Sequence, residues 1–241
     1  ERKRINMERD QLAVRVHTLE KERSLGFLAA GVAHDFNNLL AVVTGYADII
    51  SASISADSCN HAHLKIICDA AYRGAELSNE LLAYAGDLTL ARDPIDLAAA
   101  TNEVVQKLGS DLPAGIDVIF HDGGDQTFIE GDSLAIGKLE TALFENAIEA
   151  TAKGTVIVSV GIVKNTDYGV PGFSVGNLCV GGPYAFVRIV DRGKGIDPDT
   201  LAHAFDPFFS TKFLGRGLGL PAALGIARSH GGAIYVSTVP D

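Results

Sequence analysis

From Leu25 onward an apolar residue returns every three or four positions: Leu25, Ala29, Val32, Phe36, Leu39, Val43, Tyr46 and Ile50. That spacing lines one face of a helix. A second run, Leu64, Cys68, Ala71, Ala75, Ser78, Leu82 and Ala85, repeats it. Between the two, Ser51 to Asn60 is rich in Ser and Asp and reads as the turn of a helical hairpin. Ahead of them, Ile5, Leu12, Val16 and Leu19 form a broken heptad seam among charged neighbours, the pattern of an entry helix of a coiled coil. One hairpin covers only part of such seams. Two hairpins joined in a dimeric four-helix bundle cover the rest, so a homodimer is expected.

The texture changes at Asp93-Pro94. All 8 prolines lie from Pro94 onward, glycines become dense, and short β-branched runs appear. A residue before proline is pushed out of the helical region, so the boundary between two domains is placed here, 1–92 and 93–241. In the second part, Asp96 is positioned to cap a helix running to about Leu108, and Asp132 one running to Ala150. Strands are expected at Ile116–Phe120, Thr155–Val163, Tyr184–Asp191 and Ala233–Val239. A last helix follows Gly219 and stops at Gly231-Gly232. Helices and strands in this mixture predict an α/β sandwich, with helices on one face of a mixed sheet.

Composition narrows the function. Lys plus Arg number 20 and Asp plus Glu 30, a net charge of −10, which lacks the basic footprint that nucleic acid requires. No apolar run reaches the length of a membrane span, and Glu1-Arg2-Lys3-Arg4 leads into charge instead of a signal-peptide core. The 3 cysteines form no CxxC pair, in keeping with reduced thiols and a cytoplasmic location. His61 and His63 have no neighbouring third ligand, so a metal site there is not expected.

Several residues could carry chemistry. His34 lies roughly 200° around the helix from Val32 and so points away from the apolar seam. Asn38 is one turn further on the same face, and Asp35 flanks both. An imidazole with a carboxylate to hold its tautomer can attack an electrophile; the plainer reading is a solvated helix face. Asn146 falls within the apolar face formed by Leu139, Leu143, Ala147 and Ala150, where an amide needs a backbone partner or a pocket. Asp191 ends a strand and is followed by Gly193 and Gly195, which allow backbone to approach a base closely. Gly215, Gly217 and Gly219 precede a helix whose N-terminus favours an anion. Lys212, after the phenylalanine-rich Phe205 to Phe209, could reach a phosphate. Taken singly, each signal is weak.

Together they resemble an ordered set. Gly31-Val32-Ala33-His34-Asp35-Phe36-Asn37-Asn38-Leu39-Leu40 closely resembles the phosphoacceptor H box of sensor histidine kinases. Glu145-Asn146-Ala147-Ile148-Glu149-Ala150 looks like that family's N box, Asp191-Arg192-Gly193-Lys194-Gly195-Ile196 its G1 box, Phe205 to Lys212 its F box and Gly215 to Leu220 its G2 box. The family often has a second asparagine one turn before the N-box one, and Ala142 stands there instead. The resemblance covers roughly residues 24 to 239. It implies a helical hairpin forming a dimeric four-helix bundle, followed by an ATP-binding α/β sandwich of the gyrase, chaperone, histidine-kinase and mismatch-repair type. It further implies that Asn146 holds Mg²⁺ and that Asp191 meets the adenine amino group. Residues Lys212, Gly193, Gly195, Gly215, Gly217 and Gly219 would bind ATP. His34 would be phosphorylated, with Asp35 as base, and would pass the group to a response-regulator receiver domain. Asn38 would serve a reverse phosphatase activity, and an upstream sensor would supply the signal. Two other classes compete: a catalytically silent scaffold dimer, and an ATPase of the same fold that does not label itself.

Overall fold

A computed structural model describes residues 31–54, 59–85, 90–110, 112–124, 126–163, 173–176, 183–211 and 217–238. The expected entry seam from Ile5 to Leu19, together with Leu25 and Ala29, lies outside them. The chain divides into two compact units between Asp87 and Leu88. Asp93 and Pro94, expected at the boundary, open the first strand of the second unit.

In the first unit, the described part of α1 covers residues 31–53 and α2 covers Cys59–Ala85. The expected turn is therefore shorter than Ser51 to Asn60, because both of its ends are helical. The helices run antiparallel. Ser78 Oγ donates to the Ala33 carbonyl at 2.7 Å, Gly74 faces the Leu40 side chain, and Ser51 Oγ lies 3.4 Å from His61 Nε2. A Cβ on Gly74 would come within 3.1 Å of Leu40, so its absence lets the helices approach.

The expected seam of α2 does face α1, with Leu64, Ala71 and Ser78 buried. On α1 the outcome differs. The side turned to α2 is Ala33, Asn37, Leu40, Thr44, Ala47 and Ser51, whereas Val32, Phe36, Leu39, Val43, Tyr46 and Ile50 are all exposed. Periodicity located an apolar stripe correctly but could not tell which stripe meets the neighbouring helix. Small residues won that contact, since they permit close approach.

In the second unit, β1 (Asp93–Asp96) pairs antiparallel with β3 (Phe128–Gly131). A mixed sheet of order β2-β4-β6 joins β2 (Ile116–Asp122) parallel to β4 (Gly154–Val163), and β4 antiparallel to β6 (Tyr184–Val190). The strand β5 (Phe173–Gly176) pairs with β7 (Ala233–Val236). Against the sheet lie α3 (Leu97–Gly109) and α4 (Ser133–Ala150). The short α5 (Pro198–His203) and then α6 (Gly219–Ser229) complete the unit.

The expected caps are present. Asp96 accepts from the Ala98 and Ala99 amides, and Asp132 from the Ala135 amide. Val156, Val158 and Val160 form the covered face of β4, as strand alternation demands. α4 has two buried sides. Ile136, Phe144 and Ala147 pack on the sheet, while Leu139, Ala142 and Leu143 meet α6. The single apolar face drawn through Leu139, Leu143, Ala147 and Ala150 thus splits between two neighbours, and Ala150 is exposed.

Candidate active site

The residues expected to act lie on both units. On α1, His34 is 74% exposed. Its Nδ1 lies 3.5 Å from Asp35 Oδ1 and 3.3 Å from Asn38 Nδ2. Both neighbours address the same nitrogen because i+1 and i+4 flank a helical side chain on one side. The helix beneath is fixed by the Ser78 bond to the Ala33 carbonyl and by Asn37 Nδ2 donating to Asn79 Oδ1 at 3.3 Å.

In the second unit, α4 organises the site. Asn146 Nδ2 donates to the Ala142 carbonyl at 2.8 Å, one turn back. That bond engages one N–H of the amide and turns Oδ1, a hard oxygen, away from the Ala142 carbonyl. Both glycine motifs press on α4 on either side of Asn146. A Cβ on Gly193 would sit 2.6 Å from the Ala150 carbonyl oxygen, so only glycine fits that approach. Gly219 stands against Ala142, with 3.7 Å between its would-be Cβ and the alanine methyl. Ala142 and Ala150 are each one turn from Asn146, so the two loops straddle the amide. Asp191 closes its own turn, with the Gly193 amide donating to Oδ1 at 2.8 Å. The second carboxylate oxygen can still accept an exocyclic amine.

The phenylalanine-rich segment is anchored to the glycine loop. The Phe208 amide donates to the Gly217 carbonyl at 2.9 Å. Both residues have left-handed backbone, Phe208 at φ 67° and Gly217 at φ 65°. A Cβ on Gly217 would lie 2.5 Å from the Phe209 oxygen. A bulky residue at positive φ costs of order 1–3 kcal/mol, an expense found mostly at functional sites. His203 braces the base of the segment, its Nδ1 lying 2.8 Å from Asp206 Oδ2 and its ring 5.6 Å from that of Phe209. Lys212 and Gly215 lie outside the described residues.

Two groups escaped the sequence reading. Asp132 does more than cap α4: its Oδ2 accepts the Ala91 amide at 3.1 Å, and its own amide donates to His230 Nε2 at 3.1 Å. His230 Nδ1 in turn lies 2.8 Å from the Ile226 carbonyl. The Ala135 amide, and after it the Ala91 amide, hold the Asp132 carboxyl below its ordinary value by bonding its charged form. Glu140, on the buried stripe of α4 between Ile136 and Phe144, is 2% exposed. Its position at i+4 from one and i−4 from the other was the available signal.

Residues 131–241 match the family of histidine kinase-, DNA gyrase B-, and HSP90-like ATPases. Over most of the chain the similarity extends to curated proteins. Sensor histidine kinase ZraS of Escherichia coli (strain K12) is 30% identical over 220 residues, 91% of this chain and 44% of that protein. Sensor kinase CckA of Brucella abortus (strain 2308) is 28% identical over 222 residues, covering 90% of this chain and 23% of its own length. The chain is a sensor histidine kinase relative. Sensory histidine kinase/phosphatase NtrB of Rhizobium meliloti (strain 1021) is 27% identical over 217 residues, 88% of this chain and 55% of that protein. The chain thus spans about a quarter to about half of the length of these sensor kinases. Full-length ShkA, solved in complex with AMPPNP, shares the fold with a TM-score of 0.64 and 19% identity, over 88% of this chain and 42% of that one. Among the described residues, no helix of this histidine kinase relative is long and apolar enough to cross a membrane.

Proposed function

We propose that the chain is an ATP-dependent protein-histidine kinase core that phosphorylates His34. A hairpin domain (1–92) carries the acceptor, and a catalytic domain (93–241) carries the nucleotide. The observation that supports this most directly is the arrangement at His34. Its Nδ1 faces a carboxylate while the ring stands in solvent. In the tautomer protonated at Nδ1 the carboxylate accepts from Nδ1–H, the Asn38 amide N–H turns away from that nitrogen, and the lone pair is left on Nε2. Nε2 then attacks the γ-phosphorus in line, the bond from that phosphorus to the β,γ-bridging oxygen breaks, ADP departs, and the Nδ1 proton passes to Asp35. Positioning and charge neutralisation do most of the work.

In the second unit, adenine is assigned to Asp191 and the phosphates to Gly217, Gly219, Gly215 and Lys212, with Gly193 and Gly195 giving backbone access. Mg²⁺ suits the amide oxygen of Asn146, which is left uncommitted because the bond to Ala142 is made by Nδ2. When bound, the ion would neutralise phosphate charge. Ala142 supplies no second oxygen, so Asn146 is the sole N-box side chain available at these two positions.

The exposed stripe from Val32 to Ile50 supports a homodimeric four-helix bundle. The phosphoryl group is then assigned to an aspartate of a response-regulator receiver domain in the cytoplasm, under an upstream sensor. Asn38, one turn from His34, is assigned a water-orienting role in dephosphorylating that receiver. Asn38→Ala should abolish receiver dephosphorylation and leave labelling of His34 in place.

The test is incubation with γ-labelled ATP and Mg²⁺ beside His34→Ala. The expected result is an acid-labile, base-stable label that disappears in the variant. Nucleotide binding without label would favour the non-labelling ATPase, and neither binding nor label the scaffold dimer.

A further inference from the structure

Among the described residues, Glu140 is the one buried carboxyl that the proposed chemistry leaves without a task. It occupies a narrow apolar pocket between the helices and the sheet. The pocket is lined by Thr101, Val104 and Val105 of α3, Phe144 of α4, and Val158 and Val187 of the sheet. No lining side chain from any of these elements carries a charge. Thr101 Oγ1 is 2.7 Å from both Glu140 Oε1 and the Leu97 carbonyl, and Oε2 has no partner. The threonine has one proton, and the backbone carbonyl can only accept it. An ionised carboxylate would then have at most a shared donor and would sit in a lining unable to offset its charge. A neutral acid fits the same space, since its own O–H can donate to the Thr101 hydroxyl.

We propose that Glu140 is a positioning residue for the nucleotide reaction: as the neutral acid it holds α3 against α4 behind Asn146, and on ionisation it loosens that contact and displaces the amide. This rests on the proposed kinase reading. The link is direct, because Glu140 and Asn146 share one helix and Phe144, between them, is buried on the same sheet. Desolvation raises the Glu140 carboxyl from 4.5 to about 7. A raised carboxyl favours the folded, protonated state. Its contribution is complete below pH 4.5, fades as pH rises toward 7, and is gone above that.

The test uses the whole chain, Glu140→Gln, which keeps shape and neutrality, and Glu140→Leu, which keeps neutrality alone. Two readouts are followed from pH 5 to 9. The first is amide hydrogen exchange of α3 and α4, corrected for the intrinsic pH dependence. Wild type should show an opening constant that rises about tenfold per pH unit up to about 7 and then levels, while both variants stay flat. The second is the rate of His34 labelling at saturating ATP. It should fall with a midpoint near 7 in wild type and lose that limb in Glu140→Gln, with the KM for ATP unmoved. Identical exchange profiles in wild type and both variants would overturn the proposal. So would altered exchange with an unaltered labelling profile, which would reduce Glu140 to a stability element. Absence of labelling at every pH would sink the kinase reading instead, and the exchange profiles would still decide whether Glu140 gates the packing of α4.

Discussion

Phe144 in the ATPase unit is 1% exposed, whereas Leu39 and Tyr46 in the hairpin are 65% and 64% exposed. The same composition of large apolar side chains is handled in two ways. The ATPase unit closes its own core, with a sheet, two covering helices and a further helix sharing α4. The hairpin instead uses mainly small residues such as Ala33, Ala47 and Ala71, with Leu40 and Leu64, for its internal contact and leaves most of the large ones outside. A helix pair with alanines on its own seam and phenylalanine, leucine and tyrosine on its surface suits the second layer of the proposed dimer. On the proposed dimer reading, one unit is complete as a single chain and the other is half of an assembly.

The sharpest way to break this contrast is Leu39→Asp. In a two-fold interface the substitution counts twice, so association should weaken by about 3–6 kcal/mol. Sedimentation should show monomers, while the melting of the ATPase unit stays unchanged. Phe144→Ala should do the reverse. It empties a core position at a cost of about 3–5 kcal/mol, which calorimetry should assign to the ATPase transition alone, with self-association kept. Gly217→Ala forces a Cβ into the Phe209 carbonyl at a left-handed position, costing about 1–2 kcal/mol from φ alone. The larger sign should be lost affinity for an ATP analogue in a titration.

The smallest expected effect separates two carboxylates on one helix. Asp132→Ala should cost about 1 kcal/mol through the lost cap, and Asp132→Asn less, since the amide oxygen still caps. The two acids should also respond oppositely to pH. The depressed Asp132 carboxyl stabilises above its ordinary 3.8 and loses that contribution on acidification below it. Glu140 loses its contribution as pH rises toward about 7. Denaturation of the two variants across pH should therefore give difference curves of opposite slope.

Local signals explain what could be read from the residues alone. Asp96 and Asp132 announce helices because an aspartate side chain bonds amides two or three positions on, a contact confined to neighbours in sequence. β2, β4 and β6 are long enough to display their alternation. β1, β3 and β5 are four residues each, too short for a period to show, and all three depend on partners distant in sequence. α5 was missed although Asp197 caps it and Pro198 follows, both readable start signals. The face of α1 that meets α2 was not legible, since two stripes one position apart satisfy the same repeat. Within the candidate site, the constraint on Gly193 became visible only when Ala150 was brought against it. The burial of Glu140 is a tertiary fact that a charged residue conceals by its type.

The bond between the Asp132 amide and His230 ties the first residues of α4 to the last of α6, and Ala142 meets Gly219 near the opposite end of the pair. The two packed helices are therefore pinned at one end, and Gly219, one of the residues proposed to meet the nucleotide, lies at the other. From His230 back to Gly219 is about 16 Å of helix at 1.5 Å per residue. A rotation of about 10° at the pin would then move the tip by about 3 Å along that arm. Leverage of this kind would turn a small change at the pin into a larger one at Gly219.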